Sequence, residues 1–487
     1  MRRDVIGCTM LFAALLATTS VSAYDFESDG IYYDITDAVS CEVEVTYDGT
    51  ACYSGDVVIP ASVTYDGIVY SVTSIGSVAM YGCTSLTSVT FSEGLKSIGT
   101  SAFAGCTSLT SIALPNSLET LGTNAFASCT SLVTATIGTG LTEISGGAFR
   151  ACTRLESVEI PDNITSIGGY AFESTALKEI SLGDNVTFVD TYAFAFCGSL
   201  AQVTMSNISE IGNYAFYDSK GVQNVDITGS GDGNIGTYCF DGCNSLETLK
   251  LSGIDTIKTY AFYECIKLSE VSLGENIKYI GSGAFCRDSA ITELTLPESL
   301  EYVVGRAFME CKGLKTLTIH GNGSTVLASN AFNVCTRLKT VTFCEGVSKI
   351  KSAFLGCDSI ADVYVQIATP PTKEIGCFTD YVLATATLHV PQGTAETYAS
   401  TNYWSKFANI VDDIDEATSI SSLLADSNEA TIYAADGSIV VENAGGTVEI
   451  YSTSGRLVYR GGGGRVYLPG KGIYIVKTAK SATKVAL

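Results

Sequence analysis

The sequence predicts a repeat solenoid: a right-handed stack of about fourteen coils of 22–24 residues, followed by a small C-terminal β-sandwich. Three observations carry this expectation. Phe103, Phe126, Phe149, Phe172, Phe194, Phe216, Phe240, Phe262, Phe285, Phe308, Phe332 and Phe354 recur every 22 to 24 residues. Between them the segment Leu-x-x-Val-x-Leu alternates apolar and polar residues, the period of a short strand with one buried face. After Val411 the pattern stops, and from about Ala430 short alternating strands with glycine turns take over.

Residues 1–23 read as a signal peptide. Arg2 and Arg3 form a basic start, Val5 to Ala17 a mostly apolar stretch, and Val21-Ser22-Ala23 a small-residue cleavage site, so the mature chain starts at Tyr24. The stretch is too short to span a bilayer and no other run approaches about eighteen apolar residues, which predicts an exported chain with no transmembrane segment. Val5-Ile6-Gly7-Cys8 resembles a lipoprotein acylation box, but it precedes the apolar stretch instead of following it. Residues 24–70 read as an N-terminal cap and 71–411 as the solenoid with its C-terminal cap. The acidic run starting at Asp412 makes 412–429 a linker, and 430–487 is the β-sandwich. Caps are required because the open end of a coil stack exposes both core and ladder hydrogen bonds. Trp404, the sole tryptophan, reads as packing inside the second cap.

The repeating unit is Ile-Gly-x-x-Ala-Phe-x-x-Cys-x-x-Leu-x-x-Val-x-Leu-Pro-x-x-Leu, as in Ile98, Gly99, Ala102, Phe103, Cys106, Leu109, Ile112, Leu114, Pro115 and Leu118. Met80 opens the array in place of phenylalanine and Phe378 marks a degenerate last coil. The Gly-x-x-Ala-Phe-x-x-Cys half is expected to return the chain through a short helical or irregular turn. A single coil cannot bury its own apolar face, so neighbours must stack.

These residues resemble the leucine-rich repeats of the BspA-like family, surface and secreted proteins of anaerobic bacteria of the mouth and gut and of some mucosal parasites. The resemblance covers roughly residues 50 to 412. Its flanks fit as well, with Tyr53 to Pro60 and Tyr70 to Gly76 leading in, and Val390-Pro391-Gln392-Gly393, Tyr398, Trp404, Phe407 and Ile410 leading out. It implies adhesion to a protein or glycan ligand on a host or microbial surface, and a location on the bacterial outer surface or beyond it. The last segment, with Thr447–Tyr451, Gly455–Tyr459 and Gly472–Lys477, resembles the C-terminal sorting domains of type IX secretion, though it lacks their opening Pro-Asn-Pro and ends with one basic residue, Lys484.

Composition narrows the chemistry. The net charge of −23, or −24 once the signal peptide is removed, repels phosphate backbones and argues against nucleic acid. Only His320 and His389 are present, so imidazole relays and metal cages have almost no material. No catalytic residue, metal or cofactor is assigned. Gly461 to Gly464 with Gly470-Lys471-Gly472 has the wrong spacing for a phosphate loop, and Gly229 to Asn234 lacks the acids of a calcium loop; they read as a strand turn and an inserted loop.

Ten of the seventeen cysteines (Cys83, Cys106, Cys129, Cys152, Cys197, Cys243, Cys265, Cys311, Cys335 and Cys357) share one slot, three residues after the repeat aromatic or methionine. They read as a buried ladder of small hydrophobes, with Thr175, Ser219 and Asp288 standing in. Cys41 and Cys52 are the disulfide candidate. Two surfaces are candidates for binding. One is the outward strand face, where Thr134, Thr136, Thr316, Thr318, Thr340, Thr342 and Tyr364 stand out among serines, threonines and acids, although exposed strands favour threonine anyway. The other is a row of Tyr170, Tyr192, Tyr214, Tyr238 and Tyr260, two residues before the aromatic of five consecutive coils and stacked over roughly 20 Å. A ladder kept for its own stability is the competing account of that row.

Overall fold

A computed structural model describes residues 24–49, 52–373 and 377–414 and seven strands between 431 and 486. The chain divides into two compact units, residues 1–412 and 413–487. Residues 1–23, read above as a signal peptide, and most of the expected linker lie outside the described residues.

The first unit is a parallel β-solenoid of about fifteen turns. The Leu-x-x-Val-x-Leu segments form the expected strands and pair in register from coil to coil, as Thr134 does with Ser111 and with Ser157. Toward the C-terminal end, Glu293–Leu296, Thr316–Ile319, Thr340–Phe343 and Asp362–Val365 continue this face. A second parallel sheet, not expected from the sequence, runs along another side. Its strands are mostly two residues long, such as Ser97–Ile98, Thr120–Leu121, Glu143–Ile144 and Ser166–Ile167. A two-residue strand shows no alternation, so periodicity could not reveal it.

The return half is neither helix nor loop. In each coil alternate amides point to the next coil: Ser101, Phe103 and Gly105 donate to the carbonyls of Thr123, Ala125 and Ala127 at 2.9, 2.8 and 2.7 Å. The intervening amides close turns within the coil, as Ala102 does onto Gly99 and Ala104 onto Ser101. Most main-chain donors of the turn are thereby used without a helix. The Ile-Gly glycine allows the close approach this needs: a Cβ on Gly122 would lie 2.4 Å from backbone atoms of the preceding coil.

The core is a continuous stack. Twelve phenylalanine rings from Phe103 to Phe354 lie nearly parallel, each 4.7–5.6 Å from the next, and Phe378 extends them. The slot cysteines sit beside them, buried and unbridged. In nine coils the thiol donates to the carbonyl of the preceding coil's phenylalanine or methionine, from Cys106 onto Met80 at 3.1 Å to Cys357 onto Phe332 at 3.1 Å. Ser219 does the same onto Phe194 at 2.8 Å. The slot therefore selects a small residue with a donor, which is more than a small hydrophobe.

Both ends are capped. At the start a hairpin of Phe26–Ser28 and Ile31–Asp37 pairs with Glu42–Val45, and Phe26 stacks on Tyr65 at 4.3 Å. At the other end Trp404 is fully buried and its indole donates to the carbonyl of Pro371 at 3.2 Å, as cap packing requires. The proposed Cys41 to Cys52 bridge is absent. Cys41 lies in the turn after Ile31–Asp37 with its thiol toward Ala38, whereas Cys52 lies beside Cys83 and extends the thiol ladder outward. Gly229 to Asn234 is an insertion relative to both neighbouring coils, carried as a register-shifting bulge within one strand, Asn224–Ile235. Asp412 to Ile414 finish the strand Asn409–Ile414 instead of opening the linker.

The second unit holds two antiparallel sheets, one of three strands and one of four. Ile432, Ile439, Val441, Val448, Ile450, Val466, Val476 and Val485 form its own core. Gly461 and Gly464 flank the turn between two of its strands.

Candidate functional site

Each coil turns through two left-handed residues, two before and two after the repeat aromatic. The first slot holds Val78, Ser101, Asn124, Tyr170, Tyr192, Tyr214, Tyr238, Tyr260, Arg306 and Asn330, all with φ between 54° and 70°. The coil path imposes this conformation, which costs a bulky L-residue about 1–2 kcal/mol. Glycine or asparagine is the locally favoured occupant, yet five consecutive coils use tyrosine.

Those five rings form one stack, with centroids 5.1, 4.8, 5.1 and 5.1 Å apart and planes within 15°. Tyr170 is 39% exposed and the other four are half-buried. Because the faces cover one another, the row presents mainly ring edges and hydroxyls. Burial raises the Tyr192 and Tyr238 phenols above their ordinary range, so they remain neutral donors at physiological pH.

The row has company that the sequence reading missed. Tyr217 and Tyr263, one residue after their repeat phenylalanines, meet Tyr214 and Tyr260 edge-on at 5.6 and 5.3 Å. Phe196, in the second left-handed slot and 42% exposed, meets Tyr217 at 5.5 Å. Together these eight residues make an aromatic strip along one edge of the solenoid. The signal was present as aromatics one and two places after the repeat phenylalanine. Arginines bracket it: Arg150 lies 5.3 Å over Tyr170, and Arg287 lies 5.7 Å over Tyr263. Asp241, beside Tyr238, is pushed up to about 7 by burial and by Glu264 and Asp218.

The threonine candidates lie elsewhere, on the long-strand face, and do not join the strip. Thr134 and Thr136 are exposed, whereas Thr316, Thr340 and Thr342 are half-buried. Thr318 is a correction: it is only 5% exposed, because Thr295 and Thr342 flank it in register and His320 follows along the strand. It is withdrawn from the binding surface. Tyr364 stacks on His389 at 4.2 Å and is half-buried. Among the described residues no group of acids, cysteines and histidines is placed to hold a metal ion.

Stacked coils with a leucine-rich strand and a phenylalanine turn define a leucine-rich-repeat solenoid. The BspA type leucine rich repeat region matches residues 63–176, 165–289 and 255–376, and the chain belongs to that family. Among solved structures, a leucine-rich repeat protein from Bacteroides ovatus is 24% identical over 80% of this chain and 88% of its own, with a TM-score of 0.51, and shares the fold. A leucine rich cell surface protein from Faecalibacterium prausnitzii is 22% identical over 71% of this chain and 96% of its own, with a TM-score of 0.37. The pneumococcal vaccine antigen PcpA is 16% identical over 81% of this chain and 100% of its own, with a TM-score of 0.36. No curated protein matches the chain. Membership of this family fits a binding or surface role.

Proposed function

We propose that the protein is a secreted or cell-surface binding protein that attaches to host proteins, glycans or other cells through the aromatic strip of its solenoid. The tyrosine row carries this reading: five bulky residues hold a backbone conformation that disfavours them, and such local conflict concentrates at functional surfaces. Tyrosine offers a partner both apolar area and a hydroxyl, at the loss of few rotamers. Residues 1–23 direct export, and the C-terminal unit, with the likeness to type IX sorting domains, directs or anchors the chain at the outer surface. The organisation follows as an N-terminal cap over 24–70, coils and cap over 71–414, closed by the strand Asn409–Ile414, a linker over 415–429 and a β-sandwich over 430–487. Among the described residues no helix is long and apolar enough to cross a membrane. The reading assigns no catalytic centre, cofactor or metal, since glycoside hydrolysis needs two carboxylates across a cleft and the strip is an open edge.

The test is a screen of the mature full-length protein against a glycan array and immobilised matrix proteins, with host-cell attachment alongside. Saturable binding in any arm supports the proposal. No binding in all of them would leave a structural spacer, and turnover of a bound glycan would make the protein an enzyme.

A further inference from the structure

We infer that the C-terminal end of the tyrosine row is a subsite for a carboxylate-bearing pyranose, the ring found in sialic acid and the hexuronates. This rests on the reading of the row as a contact surface and adds a ligand to it. At its first ring the stack is closed, because the Arg150 guanidinium covers Tyr170 and is itself held by Glu173. At its last ring it is not. The next slot holds Gly283, where a Cβ would meet the Tyr260 ring at 2.3 Å, so no side chain can extend the row. One coil further the slot holds Arg306, roughly 10 Å from Tyr260 at one strand spacing per coil. A groove of about 350 Å³ opens here, bordered by Tyr260, Tyr263, Arg287, Arg306, Met309 and Glu310.

The two arginines differ. Arg287 is already engaged: its Nη1 donates to the Tyr263 hydroxyl at 2.8 Å and to Glu264 at 2.7 Å, and its Nε lies 3.7 Å from Glu310. Arg306 is exposed and, among the described residues, makes no ion pair, so its planar fork is open to a carboxylate from outside. Tyr260 and Met309 supply apolar surface for the C–H face of a sugar ring. The Tyr263 hydroxyl, Arg287 and Glu310 supply a donor and acceptor rim for its hydroxyls. An aromatic peptide side chain would fill the volume and leave that rim unmet.

The test titrates N-acetylneuraminic acid, methyl glucuronide and neutral methyl glucoside into the mature full-length protein, followed by ligand-observed NMR. At least one acid should bind saturably at roughly millimolar affinity and about tenfold or more tighter than the glucoside. The stronger acid identifies the source. Arg306→Gln should lower that affinity about tenfold or more and Arg306→Lys should restore part of it, both at unchanged melting temperature. No saturable binding of either acid, equal binding of the neutral sugar, an unaffected Arg306→Gln variant, or stronger competition by N-acetyltyrosine would overturn the assignment. Arg306 lies outside the tyrosine stack, so a failure here with cell attachment intact removes the ligand and leaves the surface.

Discussion

Asp288 occupies the slot in which nine coils place a donating thiol, and it is buried with neither carboxylate oxygen hydrogen-bonded. Burial raises its carboxyl well above the ordinary range, offset only in part by the nearby Cys265 amide. Its folded pKa thus exceeds the unfolded value of about 3.9, so the native state holds the proton more tightly. Stability is greatest below that unfolded value and falls as pH rises toward the folded one. Replacing Asp288 by Ser supplies the O–H that Ser219 uses, and should raise stability at pH 7 by about 1–3 kcal/mol in urea melts. The gain should shrink toward pH 4, and an Asp288→Ser variant no more stable than the parent at pH 7 would contradict the donor account of the slot. Asp241 acts in the same direction, with its window between about 4 and 7. Asp241→Asn should therefore flatten the fall in melting temperature across that range. For the thiols, burial raises Cys106, Cys243 and Cys311 far above their usual range, which makes them unreactive. Mass-spectrometric labelling should find the ten slot cysteines free in denaturant and protected when native, with exposed Cys52 modified first. Mostly oxidised slot cysteines would replace the ladder by staples.

The coil is where local preference and packing disagree. Substituting Tyr214 by Gly removes three ring contacts, to Tyr192, Tyr217 and Tyr238, but releases a left-handed strain of about 1–2 kcal/mol, so the melting temperature should move little. The same change at Phe216, inside the core stack, should cost about 3–5 kcal/mol or more. Equal losses at the two sites would mean that the tyrosines serve the fold. Much of the coil was legible in the sequence. Phe103 to Phe354 gave the period, the slot cysteines gave the ladder, and the Tyr170 to Tyr260 spacing gave the row. What escaped notice has physical reasons. Pairs such as Ser97–Ile98 are too short to alternate, so the second sheet left no periodic trace. Left-handed backbone is recognised by glycine or asparagine, and tyrosine conceals it. Thr318 has the alternation of an exposed residue, but its burial depends on neighbours 23 and 24 residues away. Cys52 reaches the ladder only through the approach of the N-terminal cap to the first coil.

At the scale of the molecule, the chain forms two compact units, each with its own core, with the boundary in the sequence at Asp412. Limited proteolysis should cut first between about 415 and 430 and release a resistant solenoid, because coils with paired amides resist local opening. An earlier cut inside the coils would contradict the boundary. The claim at the centre is that the solenoid binds through its tyrosine row, and replacing Tyr192, Tyr214 and Tyr238 together by Ser tests it most directly. Buried aromatic anchors contribute about 2 kcal/mol or more each at interfaces, so affinity for the ligand or cell surface should fall by several kcal/mol in sum. Circular dichroism should remain that of the parent, with only a small drop in melting temperature. Unchanged affinity in a folded triple variant would contradict the account and return the row to a stacking ladder.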